Sequence, residues 1–121
     1  MEVRIPDATA DGIPYIVAVA GDLDIATVDD LDGPMLGAIR GGRRPVILDL
    51  SHCEFIDSSG IRLLLRAHHQ LRENGGARRR VLAVVAHDHV ARLLRLMCVD
   101  KVLPIVPSRA EAEEALPGRA A

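Results

Sequence analysis

The chain alternates short apolar runs with longer amphipathic stretches, and the two periods separate strands from helices. Tyr15 to Ala20 is an apolar run stopped by Gly21 and acids, which predicts a strand ending in a turn. A weaker strand is predicted over Val3 to Ile5. From Ala26 to Ile39, Val28, Leu31, Met35 and Ile39 recur at roughly helical spacing, and Gly33-Pro34 inside that pattern predicts a kink or a break. Val46 to Leu50 has no polar face until Asp49, the pattern of a strand covered on both sides. Beyond it, Ile61, Leu64, Leu65, His68 and Leu71 share one face of a helix, with Arg62, Arg66, His69 and Glu73 opposite. Asn74-Gly75-Gly76 supplies residues that tolerate a left-handed helix end.

Arg80 to Ala86 reads as a second buried strand and His87 to Met97 as a helix with Val90, Leu93, Leu94 and Met97 inward. Val102 to Ile105 predicts a short strand that Pro104 confines to a sheet edge. Ser108 to Leu116 predicts a last helix, Ser108 capping it and Glu111 completing a capping box. The order β-β-α-β-α-β-α-β-α implies an α/β domain, a small, mostly parallel sheet with helices packed against it. There is no repeat, low-complexity segment or linker, so residues 1–121 read as one domain with its core at about 15–116.

Composition narrows the function classes. Hydrophobic residues make up 49% of the 121 positions, yet Tyr15 and Phe55 are the only aromatic ones, so the core is aliphatic. The net charge of −2 gives no overall attraction to nucleic acid or anionic membrane. Its distribution is uneven: residues 1–32 carry eight acids and one base, whereas 33–109 carry thirteen bases and six acids, which suggests local patches for a protein partner or a mixed solvated surface. Cys53 and Cys98 form no paired motif and read as small buried hydrophobes in a reducing compartment. Without a signal sequence or a long apolar run, the expectation is a cytoplasmic protein that does not enter a membrane.

The candidate chemistry centres on "FIDSSGIRLLL", residues 55–65. Asp57, Ser58 and Ser59 fall where a helix begins, and helix N-termini offer unpaired N–H groups and partial positive charge. A phosphate on a serine there would meet both. The plainer alternative is that one of the three only caps the helix. A serine hydrolase would need a strained GxSxG turn and a histidine partner; "DSSG" is not that turn, and none of His52, His68, His69, His87 and His89 sits in a triad context. "HDH" at 87–89 places its histidines two apart, which on a helix point away from each other, so no metal is expected. Asp49 ends a strand as a receiver-domain phosphoacceptor does, but too few βα units precede it. "GGARRR" lacks the spacing and lysine of a phosphate loop, and Arg78, Arg79 and Arg80 without stacking aromatics do not make a nucleic-acid surface.

Three segments in order, "GDLD" after a strand, "VILDLSHCEFIDSSGIRLLL", and "GGARRRVLAVVAHDHVARLLRLMCVDKVLPI", resemble the anti-sigma factor antagonists of the STAS domain family. The resemblance covers nearly the whole chain and implies a non-enzymatic binding protein without cofactors. It implies that the unphosphorylated protein binds an anti-sigma factor that is also a serine kinase, freeing a sigma factor. It also implies that phosphorylation of Ser58 ends that binding and that a separate serine phosphatase restores it. ATP and magnesium would belong to the kinase.

By position, the resemblance makes Ser58 the phosphoacceptor, Asp57 the residue that orients the loop, Ser59 the cap, and Gly60 a point of close partner approach. Asp22 and Asp24 become partner contacts, with Arg62 and Arg66 as further candidates. The alternative within the same fold is a scaffold or ligand-sensing domain in which Ser58 only caps the helix. Gly33-Pro34 in the first helix and the basic run Arg78–Arg80 depart from the family pattern.

Overall fold

The computed structural model describes residues 1–5, 14–41, 45–75 and 81–116. Its elements follow the expected order: β1 (Glu2–Arg4), β2 (Tyr15–Ala20), α1 (Val28–Gly41), β3 (Val46–His52), α2 (Ser58–Gly75), β4 (Leu82–Val85), α3 (Asp88–Leu96), a 3₁₀ turn (Val99–Lys101), β5 (Ile105–Val106) and α4 (Arg109–Ala115). Among the described residues the five strands form one sheet in the order β1-β2-β3-β4-β5. β1 pairs antiparallel with β2, and the other pairs are parallel.

This sequential order decides where the helices lie. Each parallel strand steps the same way across the sheet, and right-handed crossovers then put every connecting helix on one face. α1, α2 and α3 accordingly share one core: Val17, Val19, Leu48, Leu50 and Val84 of the sheet meet Leu31, Met35, Leu64, Leu71, Val90 and Leu94. The other face holds a smaller cluster in which Ile47, Ala83 and Val85 meet Ala112 and Leu116 around α4. The strict alternation along β3, β4 and β2 supplies both.

Several expectations change at the edges. α1 runs through Pro34 without a break. Proline removes the bond to the carbonyl four residues earlier. That residue, Asp30, is exposed, so water can take over its carbonyl, while buried Leu31 and Met35 hold the two halves on the core. Ile39's side chain lies outside the described residues, as do Gly76 and the run Arg78, Arg79 and Arg80. On α2, Leu65 is 37% exposed while Leu63 and Ala67 are buried. Leu63 and Ala67 line a groove with Met35 and Leu36, so α1 as well as the sheet covers α2 and turns the buried arc toward them.

Met97 is exposed, because α3 ends at Leu96 and Cys98 takes a left-handed conformation with φ 62°. Cys98 is therefore an exposed thiol rather than a buried one, whereas Cys53 is buried. Residues 102–105 do not form the expected strand: the 3₁₀ turn precedes them, Val102 is exposed, and the edge strand begins at Ile105 after Pro104. Ser108 caps α4 as read, its Oγ accepting the Glu111 N–H at 3.1 Å.

Among the described residues two polar side chains are buried. His68 faces inward with no partner for either ring nitrogen among the described residues, and burial, with the charges of Arg72 and His69, pushes its pKa down. Asp49, on the α4 face of β3, accepts the Ser51 N–H at 2.9 Å and the Arg109 Nε–H at 2.6 Å. Burial alone would raise the Asp49 pKa; the hydrogen bonds from Ser51 and the Arg109 guanidinium outweigh it and hold the carboxyl below its ordinary range.

Candidate functional site

The Ser58 segment lies beyond the carboxyl ends of β2 and β3, the end at which open parallel sheets present ligands and loops. The two strands do not simply part there. Leu23 and Ile56 form one further parallel bridge, with the Leu23 N–H donating to Phe55 O at 2.8 Å and the Asp57 N–H to Leu23 O at 3.2 Å. Both side chains are fully buried, so the loop after β2 and the loop after β3 are latched together over apolar contact. Gly21 makes the turn out of β2 with φ 102°, and a Cβ there would stand 3.2 Å from Met1 Cα. A side chain at that position would be strained in both respects.

Asp57 is the centre of this arrangement. Its Oδ1 accepts the N–H groups of Ser59 at 2.8 Å and Gly60 at 3.3 Å, and its carbonyl accepts the Ile61 N–H at 3.1 Å. These bonds make Asp57, not Ser59, the N-cap of α2. The other carboxylate oxygen accepts the Ile25 N–H at 3.1 Å, so one side chain both starts the helix and ties down the Asp22–Thr27 loop. The carboxylate also suits the positive end of an 18-residue helix.

Ser58 is thereby released from capping. It is the first residue of α2, it is exposed, and no described residue hydrogen-bonds to its hydroxyl. Since Asp57 takes the Ser59 and Gly60 amides, the open N–H groups expected for a phosphate reduce to that of Ser58 itself, and the phosphate would stand beside a carboxylate. Gly60 has a structural role of its own. It is buried, and a Cβ there would lie 2.6 Å from Ile56 Cγ1 and 3.0 Å from Leu23 O. Glycine is needed so that α2 can sit on the Leu23–Ile56 bridge.

Around Ser58 the structure gathers other expected residues and two unexpected ones. Asp24 turns inward to its own loop: its Oδ1 accepts the Ala26 N–H at 3.0 Å, and Thr27 Oγ donates to Asp22 O at 2.7 Å. Asp22 is exposed. Burial, reinforced by the charges of Asp22 and Glu54, pushes the Cys53 thiol up, so that sulfur stays neutral beneath the acidic loops. Arg62 is exposed one turn into α2, and Arg66 pairs with Asp32 of α1 at 3.4 Å. This exposed pair contributes little to stability.

Ile25, 74% exposed, and Phe55, 43% exposed, stand on the two latched loops, Ile25 tied to Asp57 next to Ser58 and Phe55 three positions before it. Sequence reading missed both as site residues. The available signal was that Phe55 spends one of only two aromatic side chains on a loop, and that Ile25 stands alone behind the acids. His87, considered with metals, instead places its Nε2 2.7 Å from Pro107 O.

Comparison with known proteins covers the same ground. A sequence model of the STAS domain matches residues 4–112. The anti-sigma-B factor antagonist of Staphylococcus aureus is 26% identical over 96 residues, covering 79% of this chain and 85% of that one. The crystal structure of an anti-sigma factor antagonist from Mycobacterium paratuberculosis superposes with a TM-score of 0.80 at 26% identity, covering 95% and 92% of the two chains. SpoIIAA of Bacillus shares the fold at lower identity: its unphosphorylated form gives a TM-score of 0.63 at 18% identity over 92% and 93% of the chains, and its phosphorylated form 0.62 at 17% over 93% and 97%. The match spans the sheet, the latched loops and the helix that Ser58 opens, and this chain belongs to the STAS domain family.

Proposed function

We propose that this chain is an anti-sigma factor antagonist that works in the cytoplasm by partner switching. Unphosphorylated, it binds an anti-sigma factor with serine kinase activity and so frees a sigma factor; phosphorylation of Ser58 ends the binding, and a serine phosphatase restores it. The observation that carries this reading is the division of labour at α2: Asp57 does the capping, and Ser58 presents an exposed, uncommitted hydroxyl. A serine retained only to cap the helix would accept an amide, and this one does not. The relatives named as anti-sigma factor antagonists, and SpoIIAA described in both phosphorylated and unphosphorylated forms, support the same reading.

The docking surface in this proposal is the latched pair of loops and the first turn of α2. Ile25 and Phe55 supply apolar contact, Asp22 supplies charge, and Arg62 lies at the margin. Asp24, Asp57, Ser59 and Gly60 act through the shape of the loops more than by touching the partner. Arg66 lies farther along α2, held toward α1. Phosphate adds roughly 1.5 to 2 negative charges to an end already carrying Asp22, Glu54 and Asp57. A desolvated like-charge contact costs several kcal/mol, and each ~1.4 kcal/mol is tenfold in affinity, so the complex is lost without refolding the antagonist.

Incubating the protein with ATP and each candidate anti-sigma kinase of its own genome, then mapping phosphate by peptide mass, tests the proposal. One phosphate on Ser58, with binding kept in Ser58→Ala and lost in Ser58→Asp, is the expected result. Binding that is indifferent to both substitutions, with no phosphate on Ser58, would leave a constitutive scaffold.

A further inference from the structure

The sheet face opposite α1–α3 is only partly covered. Among the described residues α4 alone packs there, against β3, β4 and β5, and β2 offers that face Ala18 and Ala20, both partly exposed. The result is a cleft of about 300 Å³ floored by these two alanines. That volume is at the small end of ligand sites.

The register places charged groups in rows across this floor. Arg4 of β1 pairs with Ala18, and Ala18 with Asp49 of β3; Glu2 pairs with Ala20, and Ala20 with His52. Two strand spacings, ~10 Å, separate the backbones of Arg4 and Asp49. Above Asp49 sits Arg109 of α4, so one guanidinium stands on each side of Ala18.

The two arginines are held differently. Asp49 has a side chain only 7% exposed and grips Arg109 through Nε alone, at 2.6 Å. An arginine–carboxylate pair usually engages two guanidinium nitrogens. Here no other described residue bonds to the guanidinium, so its terminal NH₂ groups are oriented and unspent, and the side chain is 45% exposed. Among the described residues Arg4 bonds only to Glu2, at 3.4 Å with both side chains largely exposed, a contact that yields readily. His52 borders the cleft with its Nδ1 3.3 Å from Ser51 Oγ, which leaves Nε2 for another partner.

From this juxtaposition of an alanine floor, a carboxylate-oriented Arg109 and a facing Arg4, we infer that the cleft binds a small anion carrying a phosphate group. Arg109 donates from its free NH₂ groups and Arg4 closes from the opposite side. Planar guanidinium donors match phosphate oxygens geometrically, and the shallow floor lets the anion reach both. The site lies on the α4 side of the sheet and does not depend on Ser58 or on any partner.

The test is a titration of ¹⁵N-labelled full-length protein with inorganic phosphate and, separately, glycerol 3-phosphate, against sodium chloride of matched ionic strength. Saturable shifts at the Ala18 and Ala20 amides and at the Arg109 Nε–H are expected. Tighter saturation by glycerol 3-phosphate assigns the site to a phosphate ester, and equal saturation assigns it to free phosphate. Arg4→Gln leaves the Asp49–Arg109 pair intact and should weaken binding about tenfold or more, the effect of removing a charge-assisted bond. Ala18→Leu fills the floor and should abolish binding, with a thermal melt showing that each variant folds. Shifts that match those of chloride, that centre on the Ser58 end, or that persist unchanged in both variants overturn the inference.

Discussion

A serine stands at the start of both α2 and α4, as first helical residue in one and as cap in the other, and the two have opposite fates. At α4, Ser108 is extended, with φ −147° and ψ 158°, and its Oγ accepts the Glu111 N–H. At α2, Asp57 precedes the pair of serines and takes the equivalent amide, that of Gly60, at 3.3 Å, and the Ser59 amide as well at 2.8 Å. Ser58 is displaced by one position, from cap to first helical residue, and becomes exposed. The same residue type at nearly the same place is structural in one helix and available in the other, and a neighbouring carboxylate makes the difference. A hydroxyl is open to modification where something else has satisfied the backbone it would otherwise serve.

The largest expected effect is that of Gly60→Ala. Its Cβ would press on Ile56 Cγ1 and the Leu23 carbonyl, neither of which is a free side-chain end, and overpacking of this kind costs ~2–3 kcal/mol. The urea midpoint should fall accordingly, and amide shifts should spread across both latched loops. A change confined to the first turn of α2 would show that the bridge tolerates the strain.

Asp57→Ala comes next. It removes the cap and the tie to Ile25 together, so its cost should lie near the upper end for a cap, ~2 kcal/mol, with partner affinity falling because the Ile25 loop is freed. Asp57→Asn, which keeps an acceptor oxygen, should recover most of the stability. Ser108→Ala should cost about 1 kcal/mol by equilibrium unfolding, the ordinary value of a serine cap. Ser58→Ala should change stability by less than about 0.5 kcal/mol, as surface substitutions do. The last pair bears most directly on the comparison: equal losses at Ser58 and Ser108 would mean that Ser58 caps after all.

The order of elements was legible because each carries its own periodicity, and the latching residues themselves stood out as a motif. The Ser108 cap was legible for a simpler reason, since it lies within four residues of its acceptor partner. The division of roles in "DSSG" was not: whether Asp57 or Ser59 caps depends on where α2 starts to within one residue. The tie from Asp57 to Ile25 spans 32 positions and leaves no periodic trace. The packing role of Gly60 was not legible either, because the sequence does not reveal that Leu23 and Ile56 meet beneath it.

Burial shows the same limit. Counting helical turns placed Leu65 and Met97 inside, yet α1 displaces the buried arc of α2 toward Leu63 and Ala67, and α3 stops one residue before Met97. Of the kink or break expected at Pro34, the break did not occur, because core contacts on both sides of it outweigh one lost backbone bond. Local pattern by itself determined the strands, the helices and their alternation, since these rest on residues a few positions apart. Tertiary structure alone decided which residue caps α2, which serine stays exposed and which apolar side chains the latched loops leave exposed, because those outcomes depend on contacts between strands and loops far apart along the chain.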